Sequence, residues 1–156
     1  MVLKVGDKIE DFTLMGVENE QMNKYTLSET AAQKPVLLLF YVYDFSPVCT
    51  TQACEINDSE FLTLNDDIKV FGLSGDGLYS HKEFSKQNNI TYPLLTDEEK
   101  KAYEICDLLD ENNERQRGMV LIDTNLTVQY SWVAEDNWDA WDAKILSEII
   151  ETAKTL

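Results

Sequence analysis

Segments of strand character alternate with segments of helical character along this chain, and the alternation predicts an α/β fold, a central mixed β-sheet flanked by helices. Three observations carry that prediction. Val36 to Tyr43 is apolar at nearly every position, as a central strand covered on both faces would be. Lys69 to Ser74 is a second such run, closed by the turn residues Gly75-Asp76-Gly77. Near the C-terminal end, Met119 to Asp123 and Val128 to Val133 alternate around Asp123-Thr124-Asn125, a hairpin signal that makes the sheet mixed.

The remaining elements follow in chain order. Short apolar stretches at Phe12-Thr13-Leu14 and Tyr25-Thr26-Leu27 flank the polar segment Gly16 to Glu20, which predicts an N-terminal β-hairpin. Ser28, Glu29 and Ala31-Ala32 start a brief helix that closes before Pro35. After Pro47 the sequence turns helical, with Ile56, Phe61 and Leu64 as spaced apolar positions. A helix is predicted from about Ser80 to Gln87, and another over Glu98 to Leu109 with Ala102, Ile105 and Leu109 on one side. Asp142 to Ala153 closes the chain as a helix, its Ile145, Ile149 and Ala153 spaced four apart. No repeat, linker or low-complexity tract interrupts the 156 residues, so one domain over residues 1–156 is expected.

Charge and cysteine usage narrow the function classes. Twenty-nine acids against 13 bases give a net charge of −16, which argues against nucleic acid or an anionic membrane as partner. No apolar run approaches the ~18 residues of a membrane span. The N-terminus, Met1 to Asp7, lacks the apolar core of a signal peptide, so a cytoplasmic protein is expected. The three cysteines, Cys49, Cys54 and Cys106, are too few for a disulfide scaffold. In a reducing compartment such cysteines are either buried filler or chemically active. No cofactor and no metal are expected, because Cys49 and Cys54 lack Cys-x-x-Cys spacing and a single histidine, His81, supplies no further ligands.

The stretch Tyr41 to Cys54 is the most informative. Ser46 suits a helix N-cap and Pro47 the first helical position, where its missing N–H is not needed. Cys49 then occupies the third helical position, near free backbone N–H groups and the positive end of the helix dipole. Such a place lowers a thiol's pKa and raises its thiolate fraction. The end of a central strand is also where open α/β sheets bind ligands. The alternative reading makes Cys49 a buried small hydrophobe. Cys54 lies five residues on, and helical geometry would separate the two α-carbons by roughly 8–9 Å. A disulfide needs them within ~7 Å, so a bond between them requires the helix to unwind. Packing against the sheet is the other reading of Cys54.

These residues resemble the peroxidatic motif of peroxiredoxins, Pro-x-x-x-Thr/Ser-x-x-Cys, filled here as Val42-x-x-x-Ser46-x-x-Cys49. The Cys-x-x-x-x-Cys spacing of Cys49 and Cys54 resembles the bacterioferritin-comigratory, or Q-type, subgroup. Val5 to Leu14, Gly72 to Asp76, Ser80-His81-x-x-Phe84, Tyr92 to Asp97, and Arg117 with Val120 to Asp123 resemble further family segments, so the similarity covers nearly the whole chain. Two positions depart from the pattern: Val42 stands where the family has proline, and Ile9-Glu10 where it has Ala-Pro.

The resemblance implies a thioredoxin-like fold and a thiol peroxidase acting on hydrogen peroxide and organic hydroperoxides. Cys49 would be the nucleophile and become a sulfenic acid, Ser46 would hydrogen-bond the peroxide, and Arg117 would hold the thiolate and stabilise the leaving oxygen. Gln52 would help to fix that arginine, and Val42 would shield the thiolate. Cys54 would resolve the sulfenic acid as an intramolecular disulfide, reduced by thioredoxin or a similar dithiol protein. A one-cysteine peroxidase reduced by an external thiol is the alternative, and a non-enzymatic redox sensor using the Cys49–Cys54 pair is another. A monomer or a homodimer fits equally.

Three features are assigned no part in the chemistry. His81 lies in a polar helix start and is expected at the surface or as a cap, which weakens a cysteine-protease reading. Cys106, beside Ile105 and Leu109, is expected in the core, with a role as second partner for Cys49 left open. The acidic-aromatic stretch Glu135 to Asp142 fits either a dimer contact or a loop.

Overall fold

The computed structural model describes residues 3–47, 49–51, 54, 68–135 and 143–156. Its elements in chain order are β1 (Thr13–Glu18), β2 (Gln21–Thr26), α1 (Leu27–Ala31), β3 (Val36–Phe40), β4 (Lys69–Ser74), α2 (Leu78–Asn88), β5 (Leu94–Thr96), α3 (Lys101–Ile105), β6 (Gly118–Ile122), β7 (Val128–Val133) and α4 (Ala143–Lys154). The strands form one seven-stranded sheet in the order β2-β1-β5-β4-β3-β6-β7. Parallel pairs β3–β4 and β4–β5 make its centre, and antiparallel pairing of β1, β2, β6 and β7 completes it. This is the mixed sheet with an N-terminal hairpin that the alternation of segments predicts, arranged as a thioredoxin-like fold.

The continuous apolar run of β3 is explained by its place. Every residue of Val36–Phe40 is buried, and successive side chains enter opposite layers. Leu37 and Leu39 join one core with Tyr41, Cys49, Phe84, Leu94 and Ile149. Val36, Leu38 and Phe40 join the other with Phe71, Tyr103, Cys106 and Val120. Among the described residues, no helix is long and apolar enough to cross a membrane.

Three element boundaries differ from expectation, each for a local reason. The hairpin reverses at Asn19-Glu20, both at positive φ, rather than across Gly16 to Glu20. Gly16 lies within β1 opposite Leu95, where a Cβ would sit 2.4 Å from Leu95 Cδ2 and 2.8 Å from the Leu94 carbonyl oxygen. Its glycine serves the close approach of β5, not a turn. β3 stops at Phe40 because the chain swings out of the sheet towards the Asp44-Phe45 turn, although Tyr41 still donates its N–H to Leu73 O at 3.0 Å. The expected helix over Glu98 to Leu109 contracts to α3. Buried Asp97 caps its start, accepting from the N–H groups of Lys101 (2.9 Å), Ala102 (2.9 Å) and Tyr103 (3.2 Å). Asp107 adopts φ 57°, and the Leu108 N–H returns to Tyr103 O at 2.8 Å, which ends the helix.

Candidate active site

The chain leaves β3 at its C-terminal end, turns at Asp44-Phe45, and enters helical backbone at Pro47. Ser46 caps that helical turn: its Oγ accepts the Cys49 N–H at 3.2 Å, and its carbonyl accepts the Thr50 N–H at 2.8 Å. Cys49 is therefore the third residue of a turn capped by Ser46, as its spacing from Ser46 and Pro47 implies. Its thiol is free, and the residue is only 1% exposed.

Arg117, immediately before β6, meets Cys49 from the other side. Its guanidinium is buried at 2% exposure, and Nη2 donates to Cys49 Sγ at 3.0 Å. Burial alone would push the Cys49 thiol up. Hydrogen bonds from the Ser46 hydroxyl, the Tyr43 backbone, Arg117 and the Val42 backbone outweigh it, so the pKa lies below the ordinary thiol value. Stabilising a thiolate in this way raises the population of the nucleophilic form.

An open cleft of about 370 Å³ leads to this buried group, lined by Val42, Tyr43, Ser46, Cys49, Lys100, Glu114, Arg115 and Arg117. Three of these described residues are cations and one is a carboxylate, although the whole chain carries −16. The rim cations are held by backbone carbonyls. Lys100 Nζ donates to Asn113 O at 2.6 Å, and Arg115 Nη2 donates to Asp97 O at 2.7 Å. Gly75 makes room for Arg115, since a Cβ there would fall 2.4 Å from Cζ.

The predicted site residues Val42, Ser46, Cys49 and Arg117 thus share one cleft. Cys54 also has helical backbone, and its Sγ lies 3.8 Å from Asn88 Oδ1 at the end of α2. Gln52 lies outside the described residues, as do residues 136–142 of the acidic-aromatic stretch. Cys106 is buried in the core on the opposite face of the sheet from Cys49, and burial pushes its thiol up to about 12. That separation removes it as a partner for Cys49 in the folded protein. Among the described residues, no cluster of three or more metal-ligating side chains is present.

His81 is the clear correction. It is fully buried, not at the surface, and bonds Asp44 and the Leu95 carbonyl. The signal lies in its spacing: His81 and Phe84 are one helical turn apart, so one inward face of α2 carries both. Lys100, Glu114 and Arg115 carry no such mark in the sequence, because loops bring them to the cleft from distant positions.

Comparison with known proteins bears on the family and the fold. Residues 5–131 match the model of the AhpC/TSA family. Peroxiredoxin Bcp of Bacillus subtilis (strain 168) is 33% identical over 108 residues, covering 69% of this chain and 66% of that protein. The crystal structure of reduced Plasmodium vivax 2-Cys peroxiredoxin superposes with a TM-score of 0.83 at 25% identity, covering 97% of this chain and 96% of the other. Enterococcus faecalis AhpC shares the fold, with a TM-score of 0.87 at 21% identity and coverage of 99% and 94%.

Proposed function

We propose that this chain, which belongs to the AhpC/TSA family of peroxiredoxins, is a thiol peroxidase that reduces hydrogen peroxide and organic hydroperoxides through Cys49. The observation that carries the reading is the 3.0 Å contact between the buried Arg117 guanidinium and Cys49 Sγ inside an open cleft. A permanently charged donor there favours the thiolate and faces the space a peroxide would enter.

In the proposed reaction the Cys49 thiolate attacks one peroxide oxygen. An S–O bond forms as the O–O bond breaks, and the leaving oxygen takes a proton to become water or an alcohol. Cys49 is left as a sulfenic acid. Arg117 stabilises the charge that develops on the leaving oxygen, and the Ser46 hydroxyl bonds the incoming peroxide. Val42 shields the thiolate as an apolar wall and, unlike a proline, also offers its N–H to the sulfur.

Resolution is proposed to fall to Cys54. Its thiolate attacks the sulfenic sulfur and expels hydroxide, which leaves as water, and a dithiol protein such as thioredoxin reduces the resulting disulfide. Cys54 must leave Asn88 for this, and the helical turn carrying Cys49 must unwind. We place the protein in the cytoplasm, where such a reductant is maintained. The test compares Cys54→Ser with the parent. Loss of thioredoxin-coupled turnover with intact first oxidation supports resolution by Cys54. Undiminished turnover with thioredoxin would assign the protein to the one-cysteine class. A Cys49→Ser variant that still consumes peroxide would overturn the reading altogether.

A further inference from the structure

A buried polar cluster lies just behind the cleft. The Asp44 carboxylate accepts from the Tyr41 hydroxyl at 2.5 Å through Oδ1, and from the Ser80 hydroxyl at 2.9 Å through Oδ2. His81 Nδ1 stands 2.8 Å from the same Oδ2, and His81 Nε2 stands 3.1 Å from Leu95 O. Both side chains of the pair are completely buried. A peptide carbonyl only accepts, so Nε2 carries a proton. His81 Nδ1 thus meets the carboxyl oxygen that also accepts from Ser80, with the Tyr41 hydroxyl 3.3 Å away. The result is a hydrogen-bonded histidine–aspartate pair sealed from water. Asp76, on the turn after β4, brings a second carboxylate to the cluster, and its Oδ2 accepts the Asp44 N–H at 2.8 Å.

This cluster grips one short piece of chain. Asp44 is followed by Phe45, held at φ 66°, a conformation that a side chain with a Cβ disfavours. The Phe45 ring stacks edge-on against Phe84, with centroids 5.2 Å apart. Ser80, His81 and Phe84 all belong to α2, so one helix clamps the turn at two successive residues. Ser46 and Cys49 come directly after it. Three of the four groups that bond the Cys49 sulfur, namely Val42, Tyr43 and Ser46, fall within two residues of Asp44.

We propose that the buried His81–Asp44 pair is a positioning element for Cys49, holding the strained Asp44-Phe45 turn so that the donors on either side of it converge on the sulfur. Neither residue reaches the cleft; both act through the turn. The inference deepens the peroxidase reading and rests on Cys49 as its reactive thiol. If His81 is removed, the buried Asp44 carboxyl loses a hydrogen-bond partner and the turn relaxes towards water. The donors then drift from Cys49.

The test uses Cys54→Ser protein, so that Cys49 alone titrates below the range of buried Cys106. Thiolate absorbance against pH and the alkylation rate at neutral pH are compared for the parent, His81→Gln, Asp44→Asn, Tyr41→Phe and the His81→Gln/Asp44→Asn double variant. We expect each single change at His81 or Asp44 to move the Cys49 midpoint upward by about one pH unit and to slow alkylation to match. Tyr41→Phe should move it the same way by less, and the double variant should recover part of the shift, because two amides can bond each other where one unmatched partner could not. Should His81→Gln fail to fold, Tyr41→Phe and the double variant decide the matter. A Cys49 midpoint and alkylation rate unchanged in the folded variants, whatever their melting temperature, would overturn the proposal. Because neither readout uses peroxide, a parent protein inert to peroxide would refute the peroxidase reading while leaving this test intact.

Discussion

At the scale of the residue, the proposed chemistry depends on how firmly Arg117 and the capped turn hold the Cys49 sulfur. Arg117→Lys keeps the charge but loses the planar fork, and should slow peroxide reaction on the order of 10²-fold while raising the Cys49 midpoint. An unchanged rate constant in stopped flow would show that the 3.0 Å contact is incidental. The pH dependence has a definite sign. Because the Cys49 pKa is lowered, its thiolate persists below the ordinary thiol value and is lost only as pH falls through the lowered one. The same difference stabilises the folded state above the ordinary value and fades through that lower window. Alkylation followed by mass spectrometry should therefore modify Cys49 on the acid side of ~8.5 while Cys106, raised to about 12, stays untouched. Equal labelling of the two would contradict that ordering. Ser46, Pro47 and Cys49 are legible in the sequence because capping is local chemistry spanning four positions. His81 is legible only in its spacing from Phe84, since its partners Asp44 and Leu95 are remote in sequence and its neighbours Ser80 and Lys82 are polar.

At the scale of the element, α2 bears on both ends of the cysteine segment. Ser80, His81 and Phe84 hold the Asp44-Phe45 turn before Cys49, and Asn88 meets Cys54 after it. Strands are legible where burial is two-sided, as in β3 and β4, because a strand covered on both faces needs an unbroken apolar run. Helix lengths are less so. Apolar spacing through Leu109 continues past α3, but Asp107 at positive φ ends the helix regardless of the pattern. Gly16 shows the same limit from the other side, a glycine whose purpose is a neighbour brought in by the fold. Gly16→Ala should destabilise the protein by about 1–3 kcal/mol through overpacking against β5. Denaturant melts would check this, and the Cys49 titration should not move.

At the scale of the whole molecule, 29 acids crowd a chain of 156 residues, and their mutual repulsion opposes the compact state. Adding salt screens that repulsion, so the melting temperature should rise between low and ~1 M ionic strength. A flat or falling profile would mean that the acids are spaced widely enough not to interact. The cleft reverses this field locally, gathering Lys100, Arg115 and Arg117 around the thiol. The most direct measurement mixes reduced protein with one equivalent of hydrogen peroxide, follows intrinsic tryptophan fluorescence by stopped flow, and maps the oxidised cysteine by mass spectrometry. The proposed function predicts a fast second-order phase that ends with Cys49 oxidised, bonded to Cys54 where that residue is present. No phase faster than the reaction of an ordinary free thiol would contradict it, leaving a peroxiredoxin fold without peroxidase chemistry.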